Sequence, residues 1–132
     1  MTSYMLDTNI VSHLIKQHPI VVKRIISLDM NSLAISTMTE AELLYGLAKR
    51  PKAIKLRRAI SEFLMRVTII AWNSTSSKYY ADVRAQLEKR GKLLSPFDLM
   101  IASHTLQTNS ILVTSDQAFN YVPGLKIEDW AK

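Results

Sequence analysis

The 132-residue sequence contains no cysteine. That absence removes disulfide staples, thiolate nucleophiles, zinc ribbons and iron–sulfur ligation, permits a reducing compartment, and leaves any metal to oxygen or imidazole ligands. Glycine and proline are scarce, 3 and 4 residues, which excludes collagen-like repeats and Pro/Gly-rich disordered chains. Long apolar runs are missing too. The longest uncharged stretch, Leu99 to Ser115, carries Ser103, His104, Gln107, Asn109 and Ser110 and cannot serve as the ~20-residue apolar span a bilayer requires. No Lys or Arg precedes Lys16, and Asp7 stands where a signal peptide places its apolar segment, so the cytoplasm is the expected location.

What is present is a core and an excess of positive charge. Apolar residues make up 48% of the chain and charged residues 21%, the balance of a folded protein whose length suits one domain over residues 1–132. Lys and Arg number 17 against 11 acids, for a net charge of +6. That favours an anionic partner, with nucleic acid first among the candidates.

Short apolar runs alternate with longer segments of helical periodicity. Tyr4-Met5-Leu6, Leu33 to Ser36, Val67 to Trp72, Ile111 to Thr114 and Leu125 to Ile127 read as strands. Helices are expected after Asp7-Thr8-Asn9, from Pro19 to Leu28, Glu40 to Lys49, Lys52 to Arg66, Ser74 to Arg90 with Gly91 as the stop, and from Ser95-Pro96 to about Thr108. The strands lack polar alternation, so both faces of a parallel sheet should be covered. The expected class is α/β, with a short central open parallel sheet.

In such a sheet ligands bind beyond the carboxyl ends of the strands. Four of the 11 acids lie at entries to helices on that edge: Asp7 directly after the first strand, Glu42 after the second, Asp98 at the start of the Ser95 helix and Asp116 after the fourth strand. Each taken singly also suits a cap or turn. Asp7 fits an N-cap, Asp116 a turn, Ser95 to Asp98 a capping-box-like spacing, and Thr37 to Glu40 a capping box that leaves Glu42 without a capping task. Taken together, the four would repel one another unless a cation neutralised them. Oxygen ligands select hard ions such as Mg²⁺ or Mn²⁺, which suit metal-assisted phosphodiester hydrolysis. Thr8, Asn9, Thr114 and Ser115 add polar support.

These residues, in this order, resemble the PIN-domain ribonucleases, and specifically the VapC toxins of bacterial toxin–antitoxin pairs. "YMLDTNIVSHLI", "STMTEAELLYGLAK", "LLSPFDLMIASHTL", "ILVTSD" and "FNYVPGLKIEDW" carry the likeness along the whole chain. The resemblance implies a three-layer α/β/α PIN-like domain and Mg²⁺- or Mn²⁺-dependent endoribonuclease activity, with tRNA the leading substrate. It also implies a homodimer and a cognate VapB-type antitoxin. Matched motif by motif, it assigns catalysis and metal binding to Asp7 in "LDTN", Glu42 in "AELLYG", Asp98 in "PFDLMIA" and Asp116 in "TSD". Asn73 stands where many relatives carry an acid, and Ser115 where Asn is frequent.

Seven basic residues lie between Lys49 and Arg66 against the single acid Glu62. Lys49, Arg50, Lys52, Lys55, Arg57 and Arg58 are candidates for RNA phosphate contacts, a solvated helix face being the alternative. Lys89, Arg90 and Lys92 form a second group. His13 and His104, on helices near the acids, offer acid–base cleavage as a lesser route. Trp72, Trp130, Tyr79 and Tyr80 read as core or interface aromatics, and Val21, Ile25, Leu44 and Leu56 as lining for an antitoxin groove. A haloacid-dehalogenase-type phosphotransferase is excluded because Asn9 replaces its second Asp. A response-regulator receiver fits poorly, since "TSD" puts an acid where that scheme expects a hydroxyl. The alternative from another class is a non-catalytic RNA-binding or antitoxin-binding module of the same fold.

Overall fold

The computed structural model describes residues 2–132. Five strands, β1 (Tyr4–Leu6), β2 (Leu33–Ser36), β3 (Thr68–Ile70), β4 (Ile111–Val113) and β5 (Ile127–Glu128), form one parallel sheet in the order β3-β2-β1-β4-β5. Helices α1 (Thr8–Ile15), α2 (Pro19–Ile26), α3 (Thr37–Ala48), α4 (Ile54–Arg66), α5 (Ser74–Lys89) and α6 (Pro96–Gln107) connect them, with 3₁₀ turns at Met30–Ser32 and Gln117–Tyr121. Among the described residues no helix is long and apolar enough to cross a membrane.

Successive strand residues point to opposite faces, and the core divides accordingly. Leu6, Leu33, Ile35 and Val113 pack with Ile10, Val21, Ile25, Leu43, Leu47, Ile60 and Phe63 from α1 to α4. Their neighbours Met5 and Leu112 face the other way, against Val83, Leu87, Leu99, Ile101, Ala102 and Phe119 from α5, α6 and the second 3₁₀ turn. Met5 pairs with Leu112 and Leu6 with Val113, so β1 and β4 carry both halves of the core side by side. The result is the expected three-layer α/β/α arrangement with both sheet faces covered.

The element boundaries move where a residue does two jobs. The helix expected from Glu40 begins at Thr37, because Ser36, the last residue of β2, is its N-cap and accepts from Met38 N at 3.0 Å. Thr37 is therefore not the cap of a capping box with Glu40. The strand expected over Val67 to Trp72 is confined to Thr68–Ile70, and the last strand lies two residues later than its expected start. Val21 and Ile25, expected to line a groove, are buried in the core; Leu44 is exposed, and Leu56 is partly buried against that core.

Phe119 is fully buried three residues beyond Asp116 and fastens that turn to the α5–α6 side of the core. Phe119→Ala is expected to lower unfolding stability by about 3–5 kcal/mol in urea titrations. Ile26→Ala, at a residue 76% exposed, is expected to change it by less than about 0.5 kcal/mol.

Candidate functional site

The chain runs outward from β1 in both directions of the sheet, toward β2 and β3 on one side and β4 and β5 on the other. The crevice between β1 and β4 is thus the topological switch point, where an open parallel sheet accepts ligands. Asp7 follows β1, and Thr114, Ser115 and Asp116 follow β4, so both segments enter that crevice.

Asp7 is buried, 5% exposed, and is the N-cap of α1. Its Oδ1 accepts from Thr8 N at 2.9 Å. Its Oδ2 accepts from the Thr114 hydroxyl at 2.8 Å and from Asn9 Nδ2 at 3.3 Å. Thr114 Oγ1 in turn accepts from Asn9 Nδ2 at 3.3 Å and from Asp116 N at 3.1 Å. With both its lone pairs engaged, that hydroxyl has its proton committed to Asp7. Burial pushes the Asp7 carboxyl above its ordinary range, the Thr114 and Thr8 hydrogen bonds pull it back, and the charges of Asp98 and Asp116 push it up again. The capping role and the place at the switch point therefore coincide in one side chain.

Asp98 is the third residue of α6, where its backbone N–H donates to the capping Ser95 Oγ at 3.1 Å. Burial raises its pKa, the Ser95 side chain opposes the rise, and Asp116 adds to it. Asp116 caps the second 3₁₀ turn, accepting from Ala118 N at 2.9 Å. Asp7, Asp98 and Asp116 thus feel one another's charge. Glu42 is exposed on α3 and shares with Thr8 and Ser12 the wall of a groove of about 230 Å³. The three ion pairs among the described residues involve Glu128, Glu62 and Glu88. None of the four candidate acids is neutralised by a Lys or Arg, although the chain has 17 of them.

This donor set fits a hard cation. The acids are uncompensated, every neighbouring donor is oxygen or amide, and the Thr8 Oγ1 atom beside Asp7 is buried with no hydrogen-bond partner. Among the described residues no three carboxylates or imidazoles converge into a ready-made cage. Mg²⁺ commonly needs no such cage, since it keeps several waters and takes one or two carboxylates together with substrate phosphate.

The basic candidates separate in space. Lys49 and Arg50 line the groove that holds Thr8 and Glu42, along with Lys16, Ile15, Leu43, Leu56 and Ile60. Lys52, Lys55, Arg57 and Arg58 are exposed on α4 and the turn before it. His104 is fully buried; its Nδ1 lies 2.8 Å from Ser36 Oγ, while Nε2 makes no well-formed hydrogen bond. Burial holds its pKa below the ordinary value, against a smaller pull from the Ala71 backbone. His13 stacks edge-on against His18, 4.9 Å between ring centres, and neither histidine joins the acids. Asn73 caps α5 in a reciprocal capping box with Ser76. Trp130 is buried and Tyr79 is 39% exposed.

One residue of this network was not indicated by the sequence. Asp129 Oδ1 accepts from Ser115 Oγ at 3.0 Å, directly behind the loop that carries Asp116. The signal was the pairing of the last two strands: Val113 lies beside Glu128, so the residues following them are neighbours.

Comparison with known proteins agrees with this fold. The family model for the PIN domain matches residues 4–125. The chain is 37% identical to a protein of Rickettsia felis named ribonuclease VapC2, with 98% of each chain covered. It is 33% identical to a protein of Shigella flexneri named tRNA(fMet)-specific endonuclease VapC, with 99% of this chain and 100% of that one covered. It superimposes on a chain in the crystal structure of VapBC2 from Rickettsia felis bound to a DNA fragment from their promoter, with a TM-score of 0.90, 36% identity and coverage of 98% and 99%. This chain belongs to the PIN-domain family and, within it, to the VapC group of toxin–antitoxin pairs.

Proposed function

We propose that this protein is a Mg²⁺- or Mn²⁺-dependent endoribonuclease toxin that hydrolyses phosphodiester bonds of RNA, with tRNA as its substrate class. The carrying observation is a group of unneutralised acids at the switch point of a sheet in an otherwise basic chain. The names of the relatives support the same reading. Asp7, Asp98 and Asp116 would hold the ion, with Glu42 on the wall of the groove that also includes Thr8. When bound, the ion supplies Lewis-acid polarisation of a phosphate oxygen and lowers the pKa of a water. The chain's own contribution is placement: Thr114, Asn9 and Thr8 N hold Asp7 ionised and oriented, and Thr114 ties Asp116 to it. Lys49, Arg50, Lys52, Lys55, Arg57 and Arg58 orient the RNA through its phosphates without reading bases.

The partner belongs to the same proposal. A VapB-type antitoxin segment would lie along the groove between α1, α3 and α4, whose apolar wall is Ile15, Leu43, Leu56 and Ile60. An inserted Arg or Lys would then neutralise the acids in place of the metal. Exposed Leu44 and Tyr45 on α3, 48% and 59% accessible, support homodimer formation.

Asp7→Asn is expected to abolish cleavage of tRNA by the purified protein, and chelation of divalent ions is expected to do the same to wild type. Wild-type cleavage by the variant would overturn the assignment of Asp7 to the metal site, whereas absence of cleavage by wild type itself would leave a binding module. Asn still accepts from Thr8 N, so the metal-free variant is expected to melt within about 4 °C of wild type.

The pH dependence has a definite sign. A carboxyl whose pKa is raised in the fold binds protons more tightly there than in the unfolded chain, so its contribution to stability falls as pH rises through that raised value. Asp7→Asn removes this penalty, and its metal-free stability relative to wild type is expected to grow between pH 4 and pH 7, measured by paired urea titrations.

Replacing Lys52, Lys55, Arg57 and Arg58 together is expected to flatten the dependence of log affinity on log salt, measured with a non-cleaving variant and tRNA. The slope should fall by about 0.7–0.9 for each phosphate that is no longer neutralised. An unchanged slope would make this face a solvated surface only.

A further inference from the structure

We propose that Asp129 is a positioning residue for the nuclease centre, acting through Ser115 and Asn9 on Asp7; the inference rests on the reading of that centre given above. Four hydrogen bonds carry it. Ser115 is held at both of its polar ends: its hydroxyl donates to Asp129 Oδ1 at 3.0 Å, and its backbone N–H donates to Asn9 Oδ1 at 3.3 Å. Asn9 then turns its Nδ2 toward Asp7 Oδ2 and Thr114 Oγ1, 3.3 Å from each.

The orientation of the Asn9 amide is the sensitive point. Its oxygen and nitrogen ends are nearly equal in shape but opposite in hydrogen-bonding character. In the observed orientation Asp7 receives a donor. Flipped, the amide would set its carbonyl oxygen against the Asp7 carboxylate and its NH₂ against the Ser115 N–H, two repulsive contacts in place of two attractive ones. The Ser115 N–H therefore reinforces the orientation that Asp7 also favours, and it can do so only while the Ser115 backbone stays in place. Ser115 lies just past β4, where ladder pairing ends, and Asp129 replaces the ladder there.

Asp129 is itself fixed by several contacts, most of them outside the centre. Its Oδ1 also accepts from Ala131 N at 2.9 Å. The preceding residue, Glu128, takes Thr114 N on its backbone carbonyl at 3.0 Å and Trp130 Nε1 on its side chain at 2.9 Å. Trp130 packs edge-on against Tyr4 of β1, with 5.1 Å between ring centres, and Arg24 of α2 lies 5.3 Å over the indole. The carboxylate that restrains Ser115 is thus anchored to β1, β4 and α2 at once, and of the residues named only Thr114 also touches Asp7, through its hydroxyl and not through the N–H that holds Glu128.

The test combines kinetics with nuclear magnetic resonance on the full chain. Asp129→Asn keeps an Oδ1 that accepts from Ser115 and Ala131; Asp129→Ala does not, and Ser115→Ala removes only the hydroxyl. Asp129→Ala and Ser115→Ala are expected to lower kcat about tenfold with KM for tRNA within about twofold. Asp129→Asn is expected to restore kcat to within about threefold of wild type, and the double alanine variant to be no slower than Asp129→Ala alone. In the metal-free protein the side-chain amide resonance of Asn9 is expected to move in both alanine variants and to stay in place in Asp129→Asn.

Wild-type kcat in Asp129→Ala, an unmoved Asn9 resonance, effects that multiply in the double variant, or equal damage from Asp129→Asn and Asp129→Ala would each overturn the proposal. Failure of the underlying reading looks different: wild type itself then cleaves no RNA, while the Asn9 resonance still reports whether the link to Asp129 exists.

Discussion

A carboxylate taken out of water is costly unless donors replace its hydration. Asp7 is such a group, and much of the local architecture serves to receive it. Thr8 N–H, the Thr114 hydroxyl and the Asn9 amide stand in for the missing water. Supplying them requires α1 to start where β1 stops and β4 to lie beside β1, with Thr114 just beyond its end. Asp7 N also donates to Val113 O at 2.9 Å, extending the β1–β4 ladder to the carboxylate itself. The fold and the centre therefore share the same few atoms at the switch point, so a change in either is felt by both.

The distribution of charge follows a similar economy. Positive residues lie on exposed helix faces, where they remain hydrated, and the ion pairs they form are surface pairs between residues at least a third exposed, each worth little to stability. The acids at the crevice receive no such partner. An uncompensated negative centre inside a positive envelope attracts a polyanion at long range, and it requires a cation before that polyanion can settle. Under the proposed function, affinity for RNA and dependence on a divalent ion would be two faces of one arrangement.

Much of the placement of these residues could be read from the sequence because local capping rules and position at the sheet edge coincide in them. An Asp immediately after an apolar run is both the cap of the next helix and the residue at the sheet's ligand-binding edge, and Ser95-Pro96-Phe97-Asp98 announces the start of α6 as plainly as it places a carboxylate there. The start of α3 was less legible. Ser36 ends a strand and caps a helix in the same position, and the Thr37-Met38-Thr39-Glu40 spacing offered a competing cap. The burial of Val21 and Ile25 depended on which faces of α2 the sheet would cover. The strand order, which makes the β1–β4 crevice the site, leaves no local trace. For the same reason Asp129 went unseen: its partner Ser115 is 14 residues away and adjacent only because β5 joins β4.

The hydrogen bonds that organise the centre join positions far apart along the chain. Asp7 and Thr114 are separated by 107 residues and Asn9 and Ser115 by 106, so loop-closure entropy must be met before any of these contacts forms. During synthesis, α1 to α4 leave the ribosome with their shared core complete except for Val113 and Trp130, while Asp7 still lacks Thr114. The Asp7–Thr114 pair cannot close until β4 has emerged. The Ser115 loop gains its anchor only once residue 129 has followed. Under the proposed function, a nascent chain would in that way lack its assembled centre until β4 and residue 129 have emerged.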